Sequence, residues 1–80
     1  MQMTEVKSSN ISAIGFTKEH RITLNSPPTS VMRVTFTHGE SYDYYGVPEK
    51  IYREFVKAES IGKYFHEHVN KKYTFEKVKE

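Results

Sequence analysis

Within the run Val31 to Thr37 apolar and polar residues alternate from Met32 onward, with Met32, Val34 and Phe36 set against Arg33, Thr35 and Thr37. A period of two puts one set on each face of a strand, and it constrains the next strand as well. If the connecting loop is only His38 and Gly39, Thr35 faces Tyr42 and Arg33 faces Tyr44, so the tyrosines lie opposite the apolar face. A three-residue loop of Thr37, His38 and Gly39, with Gly39 in the left-handed place of a type I turn plus bulge, changes the pairing. Val34 then meets Tyr42, Met32 meets Tyr44, and Arg33 meets Asp43 as a cross-strand ion pair worth roughly 0.2–1 kcal/mol. Both faces become consistent, so the three-residue loop is expected. Tyr42 and Tyr44 then join the core face, and Tyr45 points outward beside Arg33.

Other strands are less regular. Ile11 to Phe16 reads as a short strand with Gly15 marking a bulge or a close backbone approach. His20 to Asn25 reads as a second, with Ile22 and Leu24 on one face. Ser26-Pro27-Pro28-Thr29-Ser30 loses two backbone donors in succession and is a loop. After Gly46-Val47, Pro48 sits where a helix can start, and Ile51, Phe55 and Ala58 follow at helical spacing. Ser60 is a good N-cap for a second helix, whose stripe is Ile61, Tyr64, Phe65, His68 and Val69 and which Asn70 can end. The expectation is an α+β fold, an antiparallel sheet of three or four strands followed by two helices packed on one face. Residues 1–7 are expected as a flexible N-terminus and 8–73 as the domain, with 74–80 a tail left open between packing back and fraying.

The core has to come from rings. Five Phe and six Tyr stand against a single Leu in 80 residues, and a chain this short buries only about 60% of its unfolded surface, which leaves room for one domain. The formal charge is +2 with no acidic or basic tail, so net charge alone does not argue for polyanion binding. Cys is absent, which excludes disulfides, a thiol nucleophile and a Cys zinc site, and fits a reducing compartment. No apolar run exceeds two residues. Neither a secretory core nor a membrane span is expected, and the cytoplasm is the default location.

Period two places Tyr42 and Tyr44 on one strand face, as in sheets that stack bases. The register favours packing beneath the helices instead, which leaves Tyr45, with Arg33, as the better stacking candidate. Lys50, Arg53 and Lys57 fall along one side of the first helix, and Lys63, Lys71 and Lys72 extend the positive charge. Between Lys50 and Lys72 six basic residues face three acidic ones, enough to meet several phosphates. The plainer account is a solvated, ion-paired helix surface. His66 and His68 point about 200° apart on a helix and cannot chelate together, and no spacing assembles four ligands, so neither a metal nor any other cofactor is expected. Ser8-Ser9-Asn10 reads as a turn, or more sharply as a phosphate-contacting cluster. Gly62 reads as a close-packing residue, or as a helix start that meets a phosphate. No nucleophile and base are tied by a recognisable spacing, so no catalytic residue is named and no enzyme is expected.

Ser8-Ser9-Asn10-Ile11 with Ile14-Gly15-Phe16, then Tyr42-Asp43-Tyr44, Gly46-Val47-Pro48 and Ser60-Ile61-Gly62-Lys63-Tyr64-Phe65, together resemble the KTSC domain, with the last three blocks carrying most of the match. The resemblance runs from Ser8 to Tyr73. It implies an antiparallel sheet followed by two helices, a kinship with the C-terminal extension of some lysyl-tRNA synthetases and with stand-alone bacterial and phage proteins, and a suspected role in RNA binding. The connection from Phe16 to Met32 is longer than the family pattern leads one to expect. A small binding module for RNA, tRNA included, or another nucleic acid is the leading expectation. The rival is a protein-binding adaptor or inhibitor of a nucleic-acid enzyme such as a polymerase, with the Pro27-Pro28 arm or a sheet edge as its contact.

Overall fold

A computed structural model describes residues 1–21 and 23–78. Five strands form one antiparallel sheet in sequence order: β1 (Met3–Glu5), β2 (Ile11–His20), β3 (Thr29–Phe36), β4 (Ser41–Tyr45) and β5 (Thr74–Lys77). The α+β class stands, but the sheet exceeds the three or four strands expected. Both additions come from the ends. Residues 1–7, expected to be flexible, supply β1, which pairs Met3 with Gly15 and Glu5 with Ala13. Gly15 permits this: a side chain there would run into Met3 Sδ, and its Cβ would lie 3.0 Å from the Gln2 carbonyl oxygen. The tail supplies β5, which pairs with β4. The strand expected over His20 to Asn25 does not form. β2 runs on to His20, and a turn follows in which the Ser26 hydroxyl accepts from Thr23 N–H and donates to the Thr23 carbonyl, each at 3.0 Å. Leu24 is 92% exposed there, and Ile22 lies outside the described residues. The long connection is thus in part the ends of the two strands, Thr17–His20 of β2 and Thr29–Val31 of β3.

The register follows the alternation. Val34 pairs with Tyr42, Met32 with Tyr44 and Arg33 with Asp43, across a loop in which Phe36 N–H donates to Glu40 O at 2.8 Å and Gly39 takes φ +103°. On β2 the pairing jumps from Ile11–Phe36 to Ala13–Thr35. The bulge therefore lies at Ser12 rather than Gly15, and it turns both Ile11 and Ile14 toward the helices despite their spacing of three. Ile11, Ile14, Met32, Val34 and Tyr44 form the sheet side of the core; Val47, Phe55, Ile61, Phe65 and Val69 close it from above.

Helix α1 (Glu49–Val56) begins one residue later than Pro48, whose extended backbone makes it the N-cap while its carbonyl accepts from Ile51 N–H at 3.0 Å. Phe55 is its fully buried anchor. Helix α2 (Ile61–Tyr64) starts as expected, with the Ser60 side chain accepting from Lys63 N–H at 3.3 Å. It then widens into a π-helical turn, Phe65–Val69, closed by Asn70 N–H donating to Phe65 O at 2.7 Å. Phe65 and Val69, four residues apart, both face the core. No helix among the described residues is long and apolar enough to cross a membrane.

Lys71 follows with φ +64°, the only non-glycine residue with positive φ among those described. A left-handed conformation costs an L-residue about 1–2 kcal/mol, and glycine's larger unfolded-state entropy returns part of that. Lys71→Gly is expected to raise stability by roughly 0.5 kcal/mol and the melting temperature by about 2–4 °C. A melting temperature unchanged or lowered in calorimetry contradicts the strain.

Candidate functional site

Three cavities join end to end along the side of the molecule where α2 and its π-turn meet the sheet. The first, about 420 Å³, is polar: Lys7, Ser8, Ser9 and Asn10 stand on one bank, Glu59, Ser60, Gly62, Lys63 and His66 on the other. Here Ser8 Oγ accepts from the backbone N–H of Asn10 and Ile11 at 3.3 and 3.4 Å, ordering the strand entry. A Cβ on Gly62 would find only Asn10 Nδ2, at 3.8 Å, so close packing does not explain that glycine. The second cavity, about 300 Å³, shares Asn10, Gly62 and His66 with the first and adds Phe36, Thr37, His38 and Phe65. The third, about 330 Å³, shares Phe36, His38 and Phe65 with the second and ends against Tyr42, Tyr44, Asn70 and Phe75. The result is one groove that is polar and cationic at its mouth and aromatic at its far end.

Charge is distributed unevenly along it. Lys7 and Lys63 outnumber Glu59 at the mouth, with the exposed Lys63 ammonium also 4.0 Å from Glu67. No lysine or arginine lines the aromatic end; Lys77, paired with Tyr42 across the sheet, is bound to Glu40 at 2.9 Å. That bond holds the Glu40 carboxyl below its usual range and raises the lysine. Tyr44 is buried, and burial pushes its hydroxyl up to about 12, so it stays neutral throughout the ordinary pH range. Such a groove can hold a phosphate or other oxyanion at one end and a flat ring at the other.

The residues singled out from sequence divide into three places. Tyr42, Tyr44 and Lys63 line the groove. Arg33 and Tyr45 sit on the opposite sheet face. There the Arg33 guanidinium donates to both Asp43 oxygens, at 2.7 and 3.0 Å, which raises its pKa and commits its charge. Tyr45 borders a separate cavity with Asp43, Glu76 and the Glu40-bound Lys77, and burial first, then Glu76 and Asp43, raise its pKa. Acidic neighbours make that face a poor one for phosphate. Lys50 and Arg53 ride on α1, Lys57 is its C-cap, and none of them lines the three groove cavities. Arg53 reaches Glu49 at 3.3 Å, and Lys50 stands 4.0 Å from Glu54. Lys71 and Lys72 are exposed in the turn to β5. His68, expected partly buried, is exposed, with its ring 4.4 Å from that of Tyr64.

Sequence reasoning missed Lys7, His38, His66, Asn70 and Phe75 as parts of one site. It had flagged Ser8-Ser9-Asn10 and the helix start at Gly62 separately as phosphate candidates, but nothing local ties residues some fifty positions apart. Phe75 had no assignable face until β5 paired with β4.

Comparison with known proteins bears on the whole chain. A family model described as the KTSC domain matches residues 26–73. It takes in the Tyr42-Asp43-Tyr44, Gly46-Val47-Pro48 and Ser60–Phe65 blocks and leaves the Ser8–Phe16 blocks outside. A curated protein of Tsukamurella paurometabola is 32% identical over 62 residues, covering 78% of this chain and 79% of that one. The crystal structure of a KTSC domain protein from Yersinia pestis superposes with a TM-score of 0.79 at 29% identity, over 98% of this chain and 97% of that one. The shared architecture therefore extends to β1, β2 and β5, beyond the residues that the family model matches.

Proposed function

The chain belongs to the KTSC family, and from that premise we propose that it is a nonenzymatic nucleic-acid-binding module whose contact surface is the groove. The observation that carries this reading is the groove's polarity: a mouth with Lys7 and Lys63 among serine hydroxyls, continuous with a wall of aromatic rings. Phosphates need the first and bases the second. The kinship with the C-terminal extension of some lysyl-tRNA synthetases that the KTSC resemblance implies makes RNA, tRNA included, the first polymer to test. With only two lysines at the mouth, binding is expected to be weak and salt-sensitive, each phosphate contact contributing about −0.7 to the log–log salt slope of a single strand. An NMR shift titration with tRNA, single-stranded RNA and duplex DNA at two salt concentrations tests it. Salt-sensitive amide shifts at Lys7, Gly62, Lys63 and His66 are expected, and no shift with any of the three polymers refutes the proposal.

One observation favours the adaptor reading as well. β5 is a sheet edge whose four residues are all exposed, the kind of edge that a partner's extended segment can join. A pull-down from the native host with and without nuclease separates the two readings. Recovery of a single protein regardless of nuclease favours the adaptor.

A further inference from the structure

We propose that the aromatic end of the groove is a stacking site for one unpaired nucleobase, so that the module takes single strands and rejects duplex. This deepens the nucleic-acid reading and rests on it. Five rings close a circuit around the cavity. Phe36 meets Tyr42 at 5.7 Å between centroids, Tyr42 meets Phe75 at 6.0 Å, Phe75 meets Tyr44 at 5.6 Å, Tyr44 meets Phe65 at 5.9 Å, and Phe65 returns to Phe36 at 5.6 Å. Most of these contacts are edge-to-face, so the rings pack against one another and present faces and edges to an open depression of about 330 Å³ on their exposed side. Phe75 stands opposite buried Tyr44 on the same sheet face yet is 51% exposed, and it forms the open side through which a flat ligand enters.

Charge selects the ligand. No lysine or arginine lines the circuit, so an anion is not held there. The anion belongs at the mouth with Lys7 and Lys63, and the intervening segment carries Thr37, His38 and His66 for polar contact. A ligand with a flat apolar ring at one end and a phosphate at the other, joined by a polar link, is a nucleotide within a chain. A base inside a duplex has both faces covered and its edge paired, so only an unstacked base can enter. Every base has a π-face, which makes the site tolerant of base identity; the Asn70 amide in the lining is able both to donate to and to accept from a base edge.

The test uses the full chain, with fluorescence anisotropy of labelled oligo-dT and oligo-U octamers and of a blunt duplex dodecamer, and aromatic carbon shifts recorded in parallel. The single strands are expected to bind with shifts at Tyr42, Tyr44 and Phe75, and the duplex at least tenfold more weakly. Phe75→Ala is expected to weaken single-strand binding roughly 5- to 100-fold with its salt slope unchanged. Replacing Lys7 and Lys63 together by Ala is expected to lower that slope by about 1. Lys57→Ala, outside the groove, leaves affinity unchanged. If Phe75→Ala disturbs β5, Phe75→Leu keeps the apolar bulk and removes only the ring. Equal binding of dT and U octamers supports recognition through base and phosphate alone, and tighter U binding supports the same site with a contact to the ribose hydroxyl. Duplex binding as tight as single-strand binding, or a neutral Phe75→Ala with shifts confined to the mouth, overturns base stacking while leaving nucleic-acid binding intact. Absence of binding by every polymer overturns both. A protein that pairs with Thr74–Lys77 and competes with no oligonucleotide overturns the assignment in favour of strand addition.

Discussion

Val34→Asp is expected to unfold the protein at neutral pH, while Thr35→Asp, one residue along, leaves it folded. Val34 is fully buried at the centre of the sheet, flanked by Ile14 on β2 and Tyr42 on β4. A carboxylate there has no partner, so burial raises its pKa by about 3–5 units, or roughly 4–7 kcal/mol at about 1.4 kcal/mol per unit. A domain of this size has a total stability of about 4–12 kcal/mol. The sign of the pH dependence follows. With the folded-state pKa raised, the penalty is absent below the unfolded value near 4 and grows as pH rises toward the folded value, so the variant is most folded in mild acid. Thr35 points to the other face, half-exposed, and its replacement costs the 2.8 Å hydroxyl bond to Ser41, about 1 kcal/mol. Circular dichroism and urea titration across pH 4–7 compare the pair. A folded Val34→Asp at pH 7 means the register is wrong by one.

Phe55→Ala is expected to cost about 3–5 kcal/mol and to lower the melting temperature by roughly 15 °C or more. Phe55 is the one buried side chain of α1, and its ring lies 5.4 Å from Tyr64 and 6.3 Å from Phe65. Removing it takes away the anchor that ties α1 to α2 and the sheet, in a protein with no leucine in its core to fill the space. Phe55→Leu retains most of the apolar volume and is expected to cost less than half as much. Calorimetry decides: a loss under 1 kcal/mol for Phe55→Ala would show that α1 is held by Tyr52 and its ion pairs instead.

Much of the groove's framework was legible residue by residue. The alternation from Met32 to Thr37 and the position of Gly39 fixed the pairing of Tyr42 and Tyr44, because register depends only on parity and turn geometry. Ser60 as a cap and Asn70 as a terminator were legible because capping is a contact within one turn. β1 was not, since its pairing rests on the space that Gly15 leaves rather than on any pattern in Met1–Lys7. The alternation of Ile22 and Leu24 misled because a period of two signals a strand only where a face has something to be buried against, and Leu24 has nothing.

An aromatic-rich chain with one leucine had to build its core from rings on the helix-facing side of a sheet; hydrophobic burial and the period-two backbone leave little choice. What the sequence alone did not decide is which rings stay open. Its periods assigned Phe36, Tyr42, Tyr44 and Phe65 to the core and left Phe75 without a face; in the fold Tyr44 and Phe65 are buried while Phe75 is half-exposed beside them. Only the placement of β5 beside β4, and of the π-turn above them, leaves a cavity among these rings and joins it to Lys7 and Lys63. That arrangement depends on contacts between segments distant in the chain, whose closeness is a property of the packed whole and not of any local pattern.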